Sequence, residues 1–243
     1  MSRSVCIVQA RTGSTRLPRK ILEKIGGRLV LERVLERAKA IPGIDTVCCA
    51  TTTEPADEEI AALAESLGAH VFRGSESDVL DRYYRAALEL EAETVLRVTS
   101  DCPLIDPALC GEVLAPVVAG EADFAVNNMP PSWPHGLDCE AFSFSLLKRA
   151  ADEATDPLER EHVGLFMRRA TDIRKVNIPA PGTGMEKHRW TLDTKEDLLF
   201  MKAIFDRLEE GEAHWSYGAP LALVEADPAL AAINAGQTHP AIA

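Results

Sequence analysis

The first half of the chain alternates short apolar runs with segments of helical spacing. The apolar runs cover residues 5–8, 46–50, 69–72 and 94–98. Short runs that are apolar throughout are typical of strands buried on both faces of a sheet. The segments between them have helix signals, such as Gly68 after the second segment and Pro107 in the first turn of the fourth. This alternation predicts a doubly wound α/β layer with a mostly parallel sheet.

The rhythm becomes less regular after residue 122. Three strand-like pieces at 122–128, 136–144 and 172–178 are separated by the proline-rich stretch "MPPSWPHG" and by helical segments. We expect the region from about 129 to 178 to form a small arm on the α/β layer. A last amphipathic helix is predicted at 196–208. With 46% hydrophobic residues, residues 1–243 can bury one sizeable core, so we expect a single domain.

Composition excludes several classes of protein. The chain has 38 acidic and 26 basic residues, a net charge of -12, which opposes general nucleic-acid binding. Its six cysteines lie mostly in apolar runs and form no CxxC pair, so we expect reduced core residues and a cytoplasmic protein. The N-terminal apolar run is too short for a signal-peptide core, and no segment has the length and apolarity of a membrane span. We therefore expect a soluble protein with no membrane partner.

The loop that follows the first apolar run, "QARTGSTRLPRK", is basic although the chain is acidic. Ligands of open α/β sheets gather at the carboxyl ends of strands, where this loop is expected. Glycine and hydroxyl side chains at Gly13, Ser14 and Thr15 accompany the cations and could donate hydrogen bonds to phosphate. The pattern is neither GxxxxGK[ST] nor GxGxxG, which disfavours a P-loop ATPase or a dinucleotide dehydrogenase. A solvated basic turn is the alternative. Six cations and one acid, Glu23, lie between residues 11 and 28: Arg11, Arg16, Arg19, Lys20, Lys24 and Arg28.

Five stretches resemble one enzyme family. "QARTGSTRLPRKIL", "RVTSDCPLIDP", "HGLDCEAF", "REHV" and "RWTLDTKEDL" occur in the order seen in cytidylyltransferases, particularly the SpsF-like spore-coat polysaccharide branch. They are also similar to 3-deoxy-manno-octulosonate and acylneuraminate cytidylyltransferases. The resemblance covers roughly the first 210 residues. It implies a Rossmann-like three-layer fold that transfers CMP from CTP to a nonulosonic or octulosonic sugar acid, with release of pyrophosphate, for surface polysaccharide or glycan biosynthesis.

The resemblance and the chemistry of the basic loop together assign roles on the nucleotide side. We expect Arg11, Arg16 and Lys20 to stabilise the triphosphate and the departing pyrophosphate, with Asp101 completing the catalytic group. Lys20 is expected to be an exposed loop cation. Helix capping is the alternative for Ser77 and Asp78. The nucleotide-binding candidates are Ala10, Arg11, Gly13, Ser14, Lys20, Ser77, Asp78 and Arg82.

Two aspartates are candidate Mg²⁺ ligands. Asp101 follows the fourth strand and should emerge beside the basic loop. Mg²⁺ takes one or two carboxylates and keeps several waters, which suits triphosphate chemistry. The family resemblance suggests that Asp193 is the second ligand. Asp193 could instead cap the following helix, where Thr194 is a competing cap. Asp106 is better explained as the cap before Pro107.

The irregular region should close over the acceptor. An intrahelical salt-bridge network around "PLERE" is the competing explanation for part of it. A homodimer is expected, because related enzymes use the corresponding region as a dimer arm. Three readings stay open: a glycosyltransferase that uses a preformed nucleotide sugar, transfer to a sugar phosphate or phosphonate, and a non-catalytic binding protein. The acceptor-side candidates are His135, Asp138, Glu140, Arg160 and His162.

Overall fold

The computed structural model describes residues 3–208 and 215–237. The strands are β1 (Ser4–Gln9), β2 (Lys24–Ile25), β3 (Arg28–Leu29), β4 (Thr46–Thr52), β5 (His70–Gly74), β6 (Thr94–Thr99), β7 (Phe124–Val126), β8 (Glu140–Ser143) and β9 (Lys175–Asn177). The helices of the first half are α1 (Val30–Lys39), α2 (Glu58–Ser66), α3 (Val79–Glu89) and α4 (Pro107–Val118). Those of the second half are α5 (Phe144–Glu153), α6 (Pro157–Glu161), α7 (Leu165–Arg169), α8 (Lys195–Phe205), α9 (Gly218–Ala226) and α10 (Pro228–Ala232).

Seven strands form the central sheet in the order β5-β4-β1-β6-β8-β7-β9. The pairs β5·β4, β4·β1, β1·β6 and β7·β9 are parallel, whereas β8 runs antiparallel to both β6 and β7. The four strands predicted from the apolar runs are β1, β4, β5 and β6. The prediction of a mostly parallel sheet is confirmed.

Helices cover both faces of the sheet. Along β1, Cys6 and Val8 pack in one core, and Val5 and Ile7 pack in a second core. Alternation with a period of two is what a strand buried on both faces requires. The first core includes residues of α1, α4 and α8, and the second includes residues of α3 and α5. The result is the expected three-layer α/β architecture.

The region 129–178 differs from the expected small arm, because its two strands belong to the central sheet. β8 pairs with β6 from Thr94↔Ser143 to Arg97↔Glu140, and β9 pairs with β7. The physical reason is that the open side of β6 presents unpaired backbone groups, which β8 satisfies. Since β9 lies at one edge of this sheet, the region extends the sheet instead of standing apart from it.

Several local expectations are confirmed. Asp106 caps α4 by accepting a hydrogen bond from the Leu109 N–H at 3.0 Å. All six cysteines are free and buried. Burial raises the pKa of the Cys102 thiol, so this cysteine stays protonated beside Asp101 at neutral pH. None of the helices within 3–208 and 215–237 combines the length and the apolar composition that crossing a bilayer needs.

The segment 215–237 packs against the first core through Trp215, Val224 and Leu230. The guanidinium of Arg37 lies 3.9 Å from the Trp215 ring centroid, and its Nη2 donates to the Trp215 carbonyl at 2.8 Å. Tyr217 stacks edge-on against Trp133 with 4.8 Å between ring centroids. The segment is thus attached to the main layer at separate points. His214 and His239, to which the sequence assigned no role, lie outside the described residues.

Candidate active site

A cleft of about 1070 Å³ opens at the carboxyl ends of β1 and β6. This is the place where open α/β sheets bind ligands. The loop after β1, the turn after β6 and the segments around β8 and α7 form its walls. Most of the candidates from the sequence therefore face one cavity. Those that line it are Ala10, Arg11, Gly13, Ser14, Arg16, Lys20, Arg82, Asp101, His135, Asp138, Glu140, His162 and Asp193.

A buried aspartate that the sequence analysis did not single out holds the basic loop in place. Asp57 Oδ1 accepts hydrogen bonds from both N and Oγ1 of Thr12 at 2.7 Å, and its Oδ2 accepts from Thr52 Oγ1. The Arg19 N–H donates to the Thr12 carbonyl at 3.1 Å, which folds the loop back on itself. No motif marks Asp57, which lies among the acids that begin α2. Its function follows only from the contact with Thr12.

The six cations of the basic loop divide into two groups. Arg11, Arg16 and Lys20 line the cleft. Arg19 pairs with Glu59, and Arg28 pairs with Glu32 on α1, while Lys24 is exposed. The local positive charge is therefore partly neutralised away from the cleft. The solvated-turn alternative describes the second group. In the first group Lys20 is largely buried, whereas Arg11 and Arg16 are about half exposed.

Lys20 lies between two carboxylates. Its Nζ is 2.7 Å from Asp101 Oδ2 and 2.8 Å from Asp193 Oδ1, although these partners are 81 and 173 residues away in sequence. The Lys20 side chain is only 12% exposed, so the expectation of an exposed loop cation is wrong. The cause is a short helical turn at Lys20–Leu22 whose Ile21 is buried, which places Lys20 over the sheet edge.

Burial and charge act against each other in this cluster. Burial lowers the pKa of Lys20, but the two carboxylates outweigh burial, so the pKa lies above its usual value. Burial raises the pKa of Asp101, and the Lys20 ammonium outweighs burial and lowers it to about 2. Lys20 is therefore cationic and Asp101 anionic at neutral pH.

Asp193 belongs to a second set of charge contacts. Arg16 Nη2 lies 3.1 Å from its Oδ1, and Arg189 Nη2 lies 3.1 Å from its Oδ2. The cap of α8 is Thr194, whose hydroxyl accepts from the Asp197 N–H at 3.2 Å while Asp197 closes a capping box. The observed cap of α8 is therefore Thr194 and not Asp193. The Asp193 carboxylate does not cap the helix, and it faces the cleft.

The two aspartates suit a hard cation. Asp101 and Asp193 both contact a shared positive group at hydrogen-bond distance, so the protein already brings their oxygens to one cationic position. Mg²⁺ is satisfied by one or two protein carboxylates when waters and phosphates supply the rest. Within 3–208 and 215–237, no group of three or more Asp, Glu, His or Cys side chains has the arrangement of a metal site. The donor set present fits a phosphate-associated metal and not an all-protein metal cage.

Three nucleotide- or acceptor-side candidates do not line the cleft. Asp78 caps α3 through the Asp81 N–H at 2.9 Å, and Arg160 Nη2 binds its carboxylate at 2.5 Å. This ion pair links α3 to α6, so the charge of each residue is neutralised by the other. Ser77 is exposed and its hydroxyl lies 3.4 Å from that of Ser75. The capping alternative for Asp78 is the observed arrangement.

Arg82 is buried and still lines the cleft. Its Nη1 donates to the Ser75 carbonyl at 2.6 Å, and its buried Nε has no hydrogen-bond partner. Burial lowers its pKa, yet an arginine at this depth stays charged at neutral pH. A cation beneath the cleft wall favours an anionic or strongly polar ligand nearby.

The acceptor-side candidates are held by one another and by arginines that the sequence analysis did not name. His135 Nδ1 lies 2.9 Å from Asp138 Oδ2. Glu140 Oε2 lies 2.8 Å from Arg97 Nη1, and its Oε1 lies 2.6 Å from Arg168 Nη2. Burial raises the pKa of Glu140, and the two guanidinium groups outweigh burial and lower it. Glu140 is thus the central anion of a buried charge network.

A basic loop after β1 and a lysine shared by two aspartates lie at the carboxyl edge of a mostly parallel sheet, which is the arrangement expected of an α/β enzyme that binds a nucleotide. A family model described as cytidylyltransferase matches residues 5–212. The chain belongs to the cytidylyltransferase family.

Relatives support this assignment along most of the chain. The spore coat polysaccharide biosynthesis protein SpsF of Bacillus subtilis (strain 168) is 31% identical over 212 residues, covering 84% of this chain and 87% of SpsF. A cytidylyltransferase structure from Leptospira borgpetersenii serovar Hardjo-bovis (strain JB197) superposes with a TM-score of 0.90 at 30% identity, covering 98% of this chain and 99% of that one. The fold is also that of CMP:2-keto-3-deoxy-manno-octonic acid synthetase complexed with CTP, with a TM-score of 0.65 at 20% identity, covering 85% and 99%.

Proposed function

We propose that this protein transfers CMP from CTP to the hydroxyl of a sugar acid and releases pyrophosphate. The observation that carries the proposal is the convergence of Lys20, Asp101 and Asp193 in a cleft beside the basic loop. Family membership and the synthetase that was solved with CTP support cytosine as the base. The name of SpsF supports a product destined for surface polysaccharide.

In this proposal the acceptor oxygen attacks the α-phosphorus of CTP. A bond forms between that oxygen and the α-phosphorus, and the hydroxyl proton is lost to water. The bond from the α-phosphorus to the oxygen that bridges it to the β-phosphorus breaks, so pyrophosphate leaves with the electron pair. Arg11, Arg16 and Lys20 bind the triphosphate and stabilise the charge that develops on the departing pyrophosphate. No covalent intermediate on the protein is needed, because positioning and electrostatics can carry phosphoryl transfer.

We infer that Asp101 and Asp193 hold Mg²⁺ when CTP is bound. The metal would supply neutralisation of phosphate charge. The contribution of the chain is to present the two carboxylates, with Arg189 on the far oxygen of Asp193, so that the near oxygens face the cleft. Lys20 would exchange its carboxylate contacts for phosphate contacts.

A sugar-acid acceptor is supported by two guanidinium groups on the acceptor wall, because Arg168 and Arg169 line the cleft. These groups could attract the carboxylate of a nonulosonic or octulosonic acid. We also propose a homodimer, in which a second copy covers the edge at β9. Light scattering at micromolar protein that gave the 26.4 kDa mass of one chain, independent of concentration, would rule out the dimer.

One screen tests the proposed function. Pyrophosphate release is measured for CTP, UTP, ATP and GTP, each with a panel of sugar acids, sugar phosphates and phosphonates, with Mg²⁺ or with EDTA. We expect release that requires CTP, a sugar acid and Mg²⁺ together. Consumption of a preformed nucleotide sugar without pyrophosphate release would identify a glycosyltransferase instead. Binding of CTP with no turnover for any acceptor would favour a non-catalytic protein.

A further inference from the structure

The segment 215–237 lies beyond the residues that the family model matches. Its Asn234 nevertheless contacts the two residues that hold Asp193 in place, Asp197 and Arg189. Asn234 is only 4% exposed. Its Nδ2 donates to Asp197 Oδ1 at 2.9 Å and to the Arg189 carbonyl at 3.0 Å. A carbonyl oxygen and an ionised carboxylate can each only accept hydrogen bonds. The Asn234 amide must therefore point its NH₂ group toward Asp197 and the Arg189 carbonyl.

Asp197 accepts a hydrogen bond from the Asn234 side chain, and the Asp197 side chain is fully buried. Such a carboxylate is stable only when its oxygens are saturated with donors. Its Oδ1 also accepts from Arg189 Nε, at 2.9 Å. Its Oδ2 accepts from Arg189 Nη2 and from the backbone N–H groups of Asp193 and Thr194, at 2.9–3.0 Å. Asp197 therefore fixes both a guanidinium and the backbone at Asp193.

These contacts determine how Asp193 is presented. Its N–H is held by Asp197, and its Oδ2 is held by Arg189. The remaining oxygen, Oδ1, faces Lys20 and Arg16 in the cleft. Asn234 anchors both supporting residues, Asp197 by its carboxylate and Arg189 by its carbonyl. A substitution at Asn234 would therefore alter the position of Asp193, although the two side chains do not touch.

We propose that Asn234 is a positioning residue for Asp193, so that the C-terminal segment completes the active site. The inference rests on the proposed function for its effect on turnover. Asn234 does not line the cleft, and it acts through Asp197 and Arg189. The competing explanation is that Asn234 only fastens α10 to α8.

The test compares Asn234→Ala with Leu230→Ala. Leu230 is a buried core residue of α10 with no part in the polar network, so its variant loosens the same helix by removing apolar packing. For Asn234→Ala we expect kcat to fall about 10- to 100-fold, the cost typical of losing a partner that orients a ligand, while KM for the acceptor changes little. For Leu230→Ala we expect a lower Tm with kcat retained.

Asn234→Asp is the second variant, because it keeps the size of the side chain and places a carboxylate against Asp197. We expect the same loss of kcat as in Asn234→Ala. Normal kcat in both Asn234 variants would overturn the proposal. An equal loss of kcat in Leu230→Ala would overturn it as well, since attachment of the helix would then explain the effect.

Amide hydrogen exchange of peptides spanning 191–195 gives a readout that needs no substrate. We expect faster exchange in the Asn234 variants than in the wild type and in Leu230→Ala, because the N–H groups of Asp193 and Thr194 lose an ordered acceptor. Unchanged exchange in both Asn234 variants contradicts the positioning role. If the wild type released no pyrophosphate, the proposed function would fail, and exchange alone would still decide whether Asn234 positions Asp193.

Discussion

The cleft wall holds two clusters of three charged side chains, and the arrangement of charges in one is the reverse of that in the other. In the Lys20 cluster (Lys20, Asp101, Asp193) one ammonium lies between two carboxylates. In the Glu140 cluster (Arg97, Glu140, Arg168) one carboxylate lies between two guanidinium groups. The two also differ in access, because the side chains of Asp101 and Asp193 are 25% and 16% exposed, whereas that of Glu140 is 4% exposed.

The Lys20 cluster is open to the cleft and can exchange its cation, whereas the Glu140 cluster is closed, because its central carboxylate is almost fully buried. The carboxylates of the Lys20 cluster face the cleft, so a metal or a phosphate can rearrange their contacts. Glu140 is covered by Gly164, where a Cβ would lie 2.4 Å from the carboxylate oxygens. On that side the Glu140 carboxylate has no room for a further side-chain atom. Glu140 lines the cleft together with Arg97 and Arg168, but both of its carboxylate oxygens are already bound to their guanidinium groups. Its role in acceptor binding stays a prediction.

The largest expected effect is at Lys20. Lys20→Ala should lower kcat/KM by about 10²- to 10³-fold, because a preorganised donor to developing phosphate charge is lost. It should also lower the free energy of unfolding by about 2 kcal/mol, since two partly buried carboxylates lose their shared cation. Arg19→Ala is the matched control, because Arg19 lies in the same loop but pairs with exposed Glu59. We expect near-normal kinetics and a change within about 0.5 kcal/mol for the control. Equal kcat/KM for Lys20→Ala and the wild type would remove Lys20 from the catalytic group.

The second prediction tests whether the Glu140 cluster is closed. Glu140→Gln should lower the free energy of unfolding by about 3 kcal/mol at pH 7, because Arg97 and Arg168 stay buried without an anion. The folded pKa of Glu140 is lowered, so its stabilisation is present above the unfolded pKa of about 4.3 and is lost as pH falls through the folded value.

Chemical denaturation from pH 7 downward checks this prediction. The difference in stability between the wild type and Glu140→Gln should shrink once pH falls below about 4. A difference that stayed constant over this range would show that the charge of Glu140 does not stabilise the fold. Normal stability at pH 7 together with a raised acceptor KM would instead support substrate binding by Glu140.

The third prediction separates charge from capping at Asp193 and Thr194. Asp193→Asn should reduce turnover about 10- to 100-fold with little change in stability, because it removes one of two carboxylates from the Lys20 cluster. Thr194→Ala should retain turnover and lose about 1 kcal/mol of stability, because Thr194 is the observed cap. Kinetics and thermal melts of the two variants check this. The opposite pattern would assign the helix role to Asp193.

The regular half of the sheet could be predicted from sequence because its signals are local. The apolar run at 94–98 became β6, Thr94–Thr99, and the run at 46–50 became β4, Thr46–Thr52. The antiparallel position of β8 between β6 and β7 had no such signal, since strand pairing depends on which edge is open after the first strands assemble.

The candidate site divides in the same way. The strand-end rule and the family resemblance brought Lys20, Asp101 and Asp193 to one place, and the structure has them in contact. Asp78 was predicted to bind the nucleotide and Arg160 the acceptor, and the structure shows the two side chains paired with each other. Sequence reasoning had no means of pairing charges that are 82 residues apart.

By itself, the sequence determined the α/β layering, the basic loop and the identity of the acidic residues at the strand ends. These features follow from the period of apolar residues and from the chemistry of short motifs. Only the tertiary structure decided which charges face the cleft and which are closed in by backbone, as Asp193 and Glu140 illustrate. It also decided that Asn234, near the end of the described chain, supports Asp193. Such contacts join distant segments, and a polar side chain has no local signature of the partner that folding brings to it.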